Sequence, residues 1–520
     1  MNKKVIVLLF PLLLSLTNVF ANDLNVDICV YGGTSSGVMA AYTAKKMGKS
    51  VILIEPSDRI GGLTTGGLGF TDIGNPCIMM GYTYDFYKEI GLHYGKKDVH
   101  FCFEPKVALA IYQKYLKEEG VKVLYHHRVV SVKKKGSVIQ YITVENALHP
   151  SKDKKIILSA KEFIDCSYEG DLMAKAGVGY TVGRESSSQY DEYYNGAILS
   201  IYHQMPDGVD PYVKPGDKSS GLLYGIQPDS MENRGSGDGH VQAYNFRITL
   251  TDNPANKIPI TKPENYNPSH YELLIRMKQI QPWKQLDDVF LWSLMPNHKT
   301  DINNNGGFST DMIGANWNYP EASYTEREKI FKAHLEYTKG FLYFVGHDPR
   351  IPSQIRTEML RWGYPKDEYL TSDHFTPQLY IRESRRMIGR LVMTQDYCEQ
   401  KKIAEDAIGW AAYGMDSHNS GRFVVNGMVK NEGDVQIKVK QPYKISYRAI
   451  TPKESECSNL LVPVCLSASH ICYGSIRMEP VFMVLGQSAA IAAVEAMDHC
   501  KGIVQNVDAH SVYQKLDKKS

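Results

Sequence analysis

Gly32-Gly33-Thr34-Ser35-Ser36-Gly37 is the first place where residue types and spacing point to chemistry. Set against a GxGxxG pattern, Thr34 occupies the middle glycine position. Gly32 permits a tight turn, and Gly37 lets a helix close on a strand. A helix that starts here offers free amides and a positive dipole end to a pyrophosphate, with Gly33 and Ser35 among the anion-facing positions. Thr34 narrows that space and adds a hydroxyl donor. Glu55 follows 23 positions after Gly32, where a carboxylate at a strand end binds the hydroxyls of an adenosine ribose. Arg59-Ile60-Gly61-Gly62-Leu63-Thr64-Thr65-Gly66-Gly67 is a second glycine-rich loop. Around Arg59, Gly61 and Gly62 such a loop passes close under a cofactor diphosphate and flavin, where side chains would clash. An NAD domain has no need for it, so the expected cofactor is FAD.

Proton-transfer candidates lie late in the chain. His470, in Ser469-His470-Ile471-Cys472-Tyr473-Gly474, leads as a general base, because imidazole titrates near neutral pH. The same position suits a histidine that only bonds the cofactor or the backbone. His418, in Asp416-Ser417-His418-Asn419, is the second candidate. A carboxylate two residues away orients its ring if the loop bends suitably, and an ordinary polar loop fits as well. Tyr473 is a third acid or base, or a packed core residue. A helix expected over 380–398 places Arg382 and Arg386 on one face. That pair suits a carboxylate clamp, or, more simply, ion pairs between domains with Glu383 as a partner.

The elements that must position these groups follow from periodicity. Val26 to Tyr31 reads as a buried strand, 37–47 as a helix stopped by Gly48, and 50–55 as a second strand. Together they form one βαβ unit. Pro105 opens a helix to Glu119. Residues 121–132 alternate as a strand, with Val129 counted among the cofactor-binding positions. Lys133-Lys134-Lys135-Gly136 is an exposed turn, and 138–144, 155–158 and 163–165 continue a meander. The middle is rich in Tyr, Asn, Asp, Gly and Pro, with helices expected near 323–340 and 380–398. A strand over 459–464 and a helix over 480–497 restore order. Gln242 to Arg247 and Lys299 to Asn305 mix amides, charges and aromatics, a kit for polyhydroxylated ligands that is also ordinary turn chemistry. Trp292, Trp317 and Trp362 could stack on sugar rings, although burial is the default for Trp.

The stretches Tyr31 to Gly37, Arg59 to Asp72, Phe163 to Asp171 with Gly183-Arg184-Glu185, Tyr380 to Arg386 and Ser469 to Ala490 carry a family likeness. On them the chain resembles the exported bacterial FAD-dependent oxidoreductases, distant relatives of glutathione-reductase-like flavoproteins. Some members carry a xanthan lyase label, which these residues do not support directly. The resemblance implies an α/β fold: a Rossmann-type FAD-binding domain built from 22–189 and 445–510, an inserted α+β substrate domain at 190–444, and a tail at 511–520. It also implies that a late segment returns to the flavin, here Arg477-Met478-Glu479-Pro480 with Gly486-Gln487-Ser488-Ala489. A helix N-terminus there would stabilise the reduced ring. A buried helix with small residues for packing fits the same letters.

Composition bounds the rest. A chain of 520 residues with formal net charge +2 and 43% hydrophobic content is ordinary and globular. It has no general electrostatic reason to bind nucleic acid. Lys3-Lys4, the apolar run Val5 to Leu16 and Val19-Phe20-Ala21 read as a signal peptide over 1–21, so export to the periplasm or beyond is expected. No later run reads as membrane-spanning. The nine scattered cysteines show no metal spacing, and Cys29 reads as a small core residue. The expected function is hydride transfer between FAD and a CH–OH or CH–NH centre of a small polar substrate such as a sugar, with an unknown electron acceptor. Two alternatives stay open: reduction of an activated C=C bond in a carboxylate, and a non-redox lyase or binding protein.

Overall fold

The structure is a computed structural model that describes residues 23–150 and 155–517. The expected signal segment lies outside them. Strand β1 (Asp23–Tyr31) feeds helix α1 (Ser35–Lys46), which returns to β2 (Val51–Ile54). A short helix α2 (Gly62–Thr65) follows, then α3 (Gly81–His93) and α4 (Pro105–Glu118). β3 (Lys122–Leu124), β4 (His127–Lys135), β5 (Val138–Asn146) and β6 (Ile156–Asp165) complete one sheet in the order β3-β2-β1-β6-β5-β4. β1, β2, β3 and β6 run parallel, while β4, β5 and β6 form an antiparallel meander. A late strand, Leu460–Leu461, pairs in parallel with Phe163 and Ile164 of β6. The far end of the chain thereby joins the first sheet.

Alternation along β1 sends its side chains to two cores. Ile28 and Val30 face the large hydrophobic cluster, which continues through the middle of the chain to Leu516. Cys29 and Tyr31 face a smaller cluster with Val129, Ile142 and Leu172. The nine cysteines are all unpaired.

Several expectations are corrected. The strand expected over 121–132 is two strands, because the chain turns at Tyr125-His126, where His126 takes a positive φ of 55°. β3 extends the parallel edge and β4 enters the meander. The pieces 155–158 and 163–165 belong to one long β6. The helix near 323–340 runs further, as Tyr324–His347. The helix expected over 380–398 is absent except for one turn, Gln395–Cys398. Arg386-Met387 instead pairs with Tyr180-Thr181, and Asn245 bridges Tyr380. Tertiary ion pairs override the helical periodicity here. Arg382 reaches Asp311, Arg385 reaches Asp171 and Glu321, and Arg386 reaches Glu185. Arg382 and Arg386 therefore share no helix face. Finally, the helix Glu479–His499 is long and apolar enough to span a membrane by composition, but it is packed inside the protein.

Candidate functional site

The two glycine loops lock together at the carboxyl end of β1. Gly32 holds a φ of +91°, and a Cβ on Gly37 would stand 1.9 Å from the Gly32 carbonyl oxygen. Only glycine allows that approach of helix to turn. Thr34 caps α1 by accepting from the Gly37 amide, and its hydroxyl donates to Cys166 O at 2.8 Å. That hydroxyl therefore ties α1 to β6 and is not the extra outward donor expected of it. Glu55 accepts from the Gly33 amide and the Ser57 amide, each at 2.7 Å. Burial pushes the Glu55 carboxyl up to about 7.

The second loop lies against the first. The Gly61 amide donates to Gly33 O at 2.6 Å. Gly61 and Gly62 both take positive φ, and a Cβ on Gly62 would meet the Tyr168 hydroxyl at 2.4 Å. Arg59 Nε donates to Thr65 O at 2.8 Å, its guanidinium lies 5.3 Å over the Tyr369 ring, and Nη2 has no partner. Ser35 from α1, Thr64 from α2 and Tyr168 converge on the carboxylate of Glu479, with Thr64 Oγ1 at 2.9 Å and the Tyr168 hydroxyl at 2.6 Å. Burial raises the Glu479 carboxyl. Sequence reasoning placed 477–480 in a returning segment without giving Glu479 a part of its own. The available signal was an acid opening an otherwise apolar helix, just before Pro480.

Gly486, Gln487 and Ser488 are corrected. They sit beyond the first turn of that helix and have other work. A Cβ on Gly486 would meet Ser36 O at 2.2 Å, so this glycine lets the helix touch α1. Gln487 Oε1 accepts from the Tyr82 amide at the start of α3, and Ser488 donates to Ile408 O. Val129 is also closed: its amide faces the Tyr31 hydroxyl, and its carbonyl accepts from Tyr324 at 2.7 Å.

His470 begins the helix His470–Ile476, and both its ring nitrogens are engaged. Nδ1 lies 2.8 Å from Glu383, Nε2 lies 3.0 Å from Ser417 Oγ, and the residue is 2% exposed. Arg386 pairs with Glu383 and Glu185, which closes the network. His470 and Arg386 pull Glu383 down to about 2. This is a positioning network with no open edge. Tyr473 is buried, donates to Val464 O, and has its hydroxyl raised by burial.

His418 stands differently. Nδ1 lies 3.0 Å from Asp311 Oδ2, and Nε2 lies 3.5 Å from Asp416 Oδ2. Its ring stacks against His203 at 6.1 Å between centroids. Asp311 pairs with Arg382 at 2.8 Å, Asp416 pairs with Arg477 at 2.8 Å, and Arg477 Nη1 donates to the Tyr380 hydroxyl at 2.8 Å. His418 and the nearby arginines hold both carboxyls below their usual range. Arg382 Nε, Arg477 Nε and Asn245 Oδ1 are buried without a partner. Native structures rarely leave such groups unmet without a ligand or water to complete them. Asp416 also lines a cavity of about 750 Å³ with Gly74, Tyr202, Tyr413, Gln436 and Lys438. That volume lies within the range of small-molecule sites.

The other segments singled out are mostly structural. Lys299 is buried among Glu104, Asp367 and Glu368, and Arg247 spans Asp301 and Asp72. Trp317 stacks on His240 at 3.6 Å, while Trp292 and Trp362 pack edge to face.

The model of the family described as FAD dependent oxidoreductase matches residues 27–518. The chain belongs to that family. Its cofactor is FAD and it is an FAD-dependent oxidoreductase of Rossmann type. No curated protein matches the chain. Among solved structures it is similar to THI4 of Thermovibrio ammonificans, at 18% identity over 33% of this chain and 71% of that one, with a TM-score of 0.24. It is also similar to the bacillithiol disulfide reductase Bdr of Bacillus cereus, at 18% identity over 27% and 39%, with a TM-score of 0.20. For the anhydrotetracycline hydroxylase OxyS of Streptomyces rimosus the values are 11%, 31%, 36% and 0.23. The match spans about a third of that hydroxylase's length.

The residues present fit the cofactor. At the α1 N-terminus Gly32, Gly33 and Gly37 let the turn close on Ser167, Glu55 and its own backbone, where any Cβ would clash. Arg59 Nη2, on the second loop, is buried without a partner, and Glu55 would supply the ribose acceptor. FAD would be held by the 32–37 turn, Glu55 and the 59–65 loop, with Glu479 at their junction.

Proposed function

We propose that the protein transfers hydride between FAD and a CH–OH or CH–NH centre of a small polar substrate, foremost a carbohydrate, bound beside His418. One observation carries the reading: a histidine flanked by two carboxylates joins the glycine loops through three consecutive residues. Arg477 belongs to the charged ring around His418, and Glu479 to the junction of the loops. FAD, when bound, supplies the hydride acceptor.

Asp311 fixes the imidazole tautomer by accepting the Nδ1 proton at 3.0 Å. Nε2 is then an acceptor, and its 3.5 Å separation from Asp416 is too long for a hydrogen bond. Nε2 takes the hydroxyl or amine proton of the substrate. The two ionised carboxylates stabilise the resulting imidazolium. Arg382 Nε, Arg477 Nε and Asn245 Oδ1 complete their bonds on the substrate's polar groups. The basic and apolar start of the chain supports export of this enzyme.

The test is anaerobic titration of purified holoprotein with sugars and polyols, read at the flavin's visible band. Bleaching by such a substrate is expected, with His418→Gln slowing it by about a hundredfold or more while FAD content stays constant. Reoxidation of reduced enzyme by an unsaturated acid, with no response to any sugar or polyol, would reverse the assigned direction. An unchanged rate in His418→Gln removes the base.

A further inference from the structure

Arg422 is a buried cation that the chemistry above leaves unused. It lies on the strand Gly421–Val425, which pairs with Met428–Glu432, and it is 3% exposed. Nε donates to Asn431 Oδ1 at 2.9 Å and Nη2 to Gly307 O at 3.0 Å. Its backbone is held on both sides by Gln227. Among the described residues no carboxylate forms an ion pair with it. The comparison with its peers is direct. Arg184, Arg247, Arg327, Arg386 and Arg477 are also buried, and each holds at least one carboxylate. Burial without a matching acid pulls the Arg422 guanidinium down to about 10. A buried charge is normally paired, because leaving water is costly otherwise.

The same arginine lines a cavity of about 170 Å³ with Tyr224, His270, Phe308, Asp311 and Tyr337. The Asp311 carboxylate lies on the same wall without pairing with Arg422, and its charge is shared with Arg382 and His418. Arg422 Nη1 donates to no group among the described residues. It stands beside Gly225, where an added Cβ would come within 3.3 Å, so the bare glycine leaves that edge uncovered. Tyr224 and His270 stack at 3.8 Å, and the guanidinium lies 5.5 Å over Phe308. The walls are mostly aromatic and apolar, and Arg422 is the cation among the lining residues that no carboxylate pairs with.

We propose that this cavity binds a small monocarboxylate carried on a compact aromatic or apolar body, with the carboxylate on Arg422. A cavity of roughly 150 Å³ accommodates a benzene ring, so the size suits a benzoate-like ion. A phosphate dianion fits poorly, because one guanidinium would leave half its charge buried and unmatched. The site shares Asp311 with the charged ring around His418.

The test is calorimetric titration of the holoprotein with benzoate, with benzyl alcohol and inorganic phosphate as controls. Two variants are used. Arg422→Gln removes the charge, and Ala315→Trp adds bulk at an exposed residue that also lines the cavity. Saturable benzoate binding is expected, weakened roughly tenfold to a hundredfold in each variant, as loss of a charged hydrogen bond implies. Both controls should bind at least about ten times more weakly. Absence of saturable benzoate binding by the wild type overturns the proposal. So does benzyl alcohol binding equally well, or wild-type affinity in Ala315→Trp. If Arg422→Gln does not fold, Ala315→Trp decides the matter. Binding is read without turnover, so failure here leaves the hydride-transfer reading standing.

Discussion

Glu55 shows how one residue can have opposite pH signatures in two equilibria. Its folded carboxyl titrates at about 7 because burial disfavours the charge. An unfolded Glu titrates near 4.3. Between those values the unfolded chain binds fewer protons, so stability of the FAD-free protein falls as pH rises through that window. The loss is on the order of 3 kcal/mol by pH 7. Binding FAD works the other way. Ribose hydroxyls donate to the ionised carboxylate, an acceptor-only group, so binding releases a proton and affinity rises between pH 6 and 8. Fluorescence titration of the FAD-free protein across that range should show a slope approaching tenfold per unit, flattened in Glu55→Gln. A slope that persists in the variant assigns the proton elsewhere. The histidines show what sequence cannot resolve at this scale. His470 and His418 each directly follow a serine, and local sequence does not tell them apart. Only tertiary placement shows that Glu383 and Ser417 enclose one, while Asp311, distant in sequence, orients the other.

At the scale of elements, the βαβ unit was legible because its signals are local: an apolar run, a glycine turn, a helix stop and a terminal acid. The helix over 380–398 was misread for the converse reason. Its arginines and Glu383 mimic an amphipathic helix, but each reaches a different partner far away in the chain. The break between β3 and β4 was missed because both pieces alternate alike. The tight seat of α1 on the Gly32 turn gives an element-level prediction. Gly37→Ala places a Cβ against Gly32 O, so α1 must shift. Overpacking of this kind costs about 1–3 kcal/mol. Gly37→Ala should fold with a lowered Tm and purify with little FAD, as read from the visible-to-protein absorbance ratio. Full cofactor content would show that the turn can relax without harm to the site.

For the whole molecule, buried ion clusters tie the middle of the chain to the flavin unit. Lys299 bonds Glu104 at the mouth of α4 together with Glu368 and Asp367. Asp171 collects Arg327 and Arg385, and Arg184 joins Asp238 to Glu432. Lys299→Met leaves buried carboxylates unmatched and should cost about 3–5 kcal/mol in urea unfolding. A cost below about 1 kcal/mol would mark the cluster as solvated. None of these pairings was readable beforehand, since charge identity says nothing about partners separated by tens to hundreds of positions. The strand Leu460–Leu461 beside β6 has a further consequence. During synthesis, a nascent chain with its first four hundred residues emerged still has an open sheet edge next to the nucleotide turn. The helix that seats Glu479 has not yet been made. Cofactor capture therefore needs both ends of the chain folded together, and a fragment that stops before Leu460 should purify without FAD.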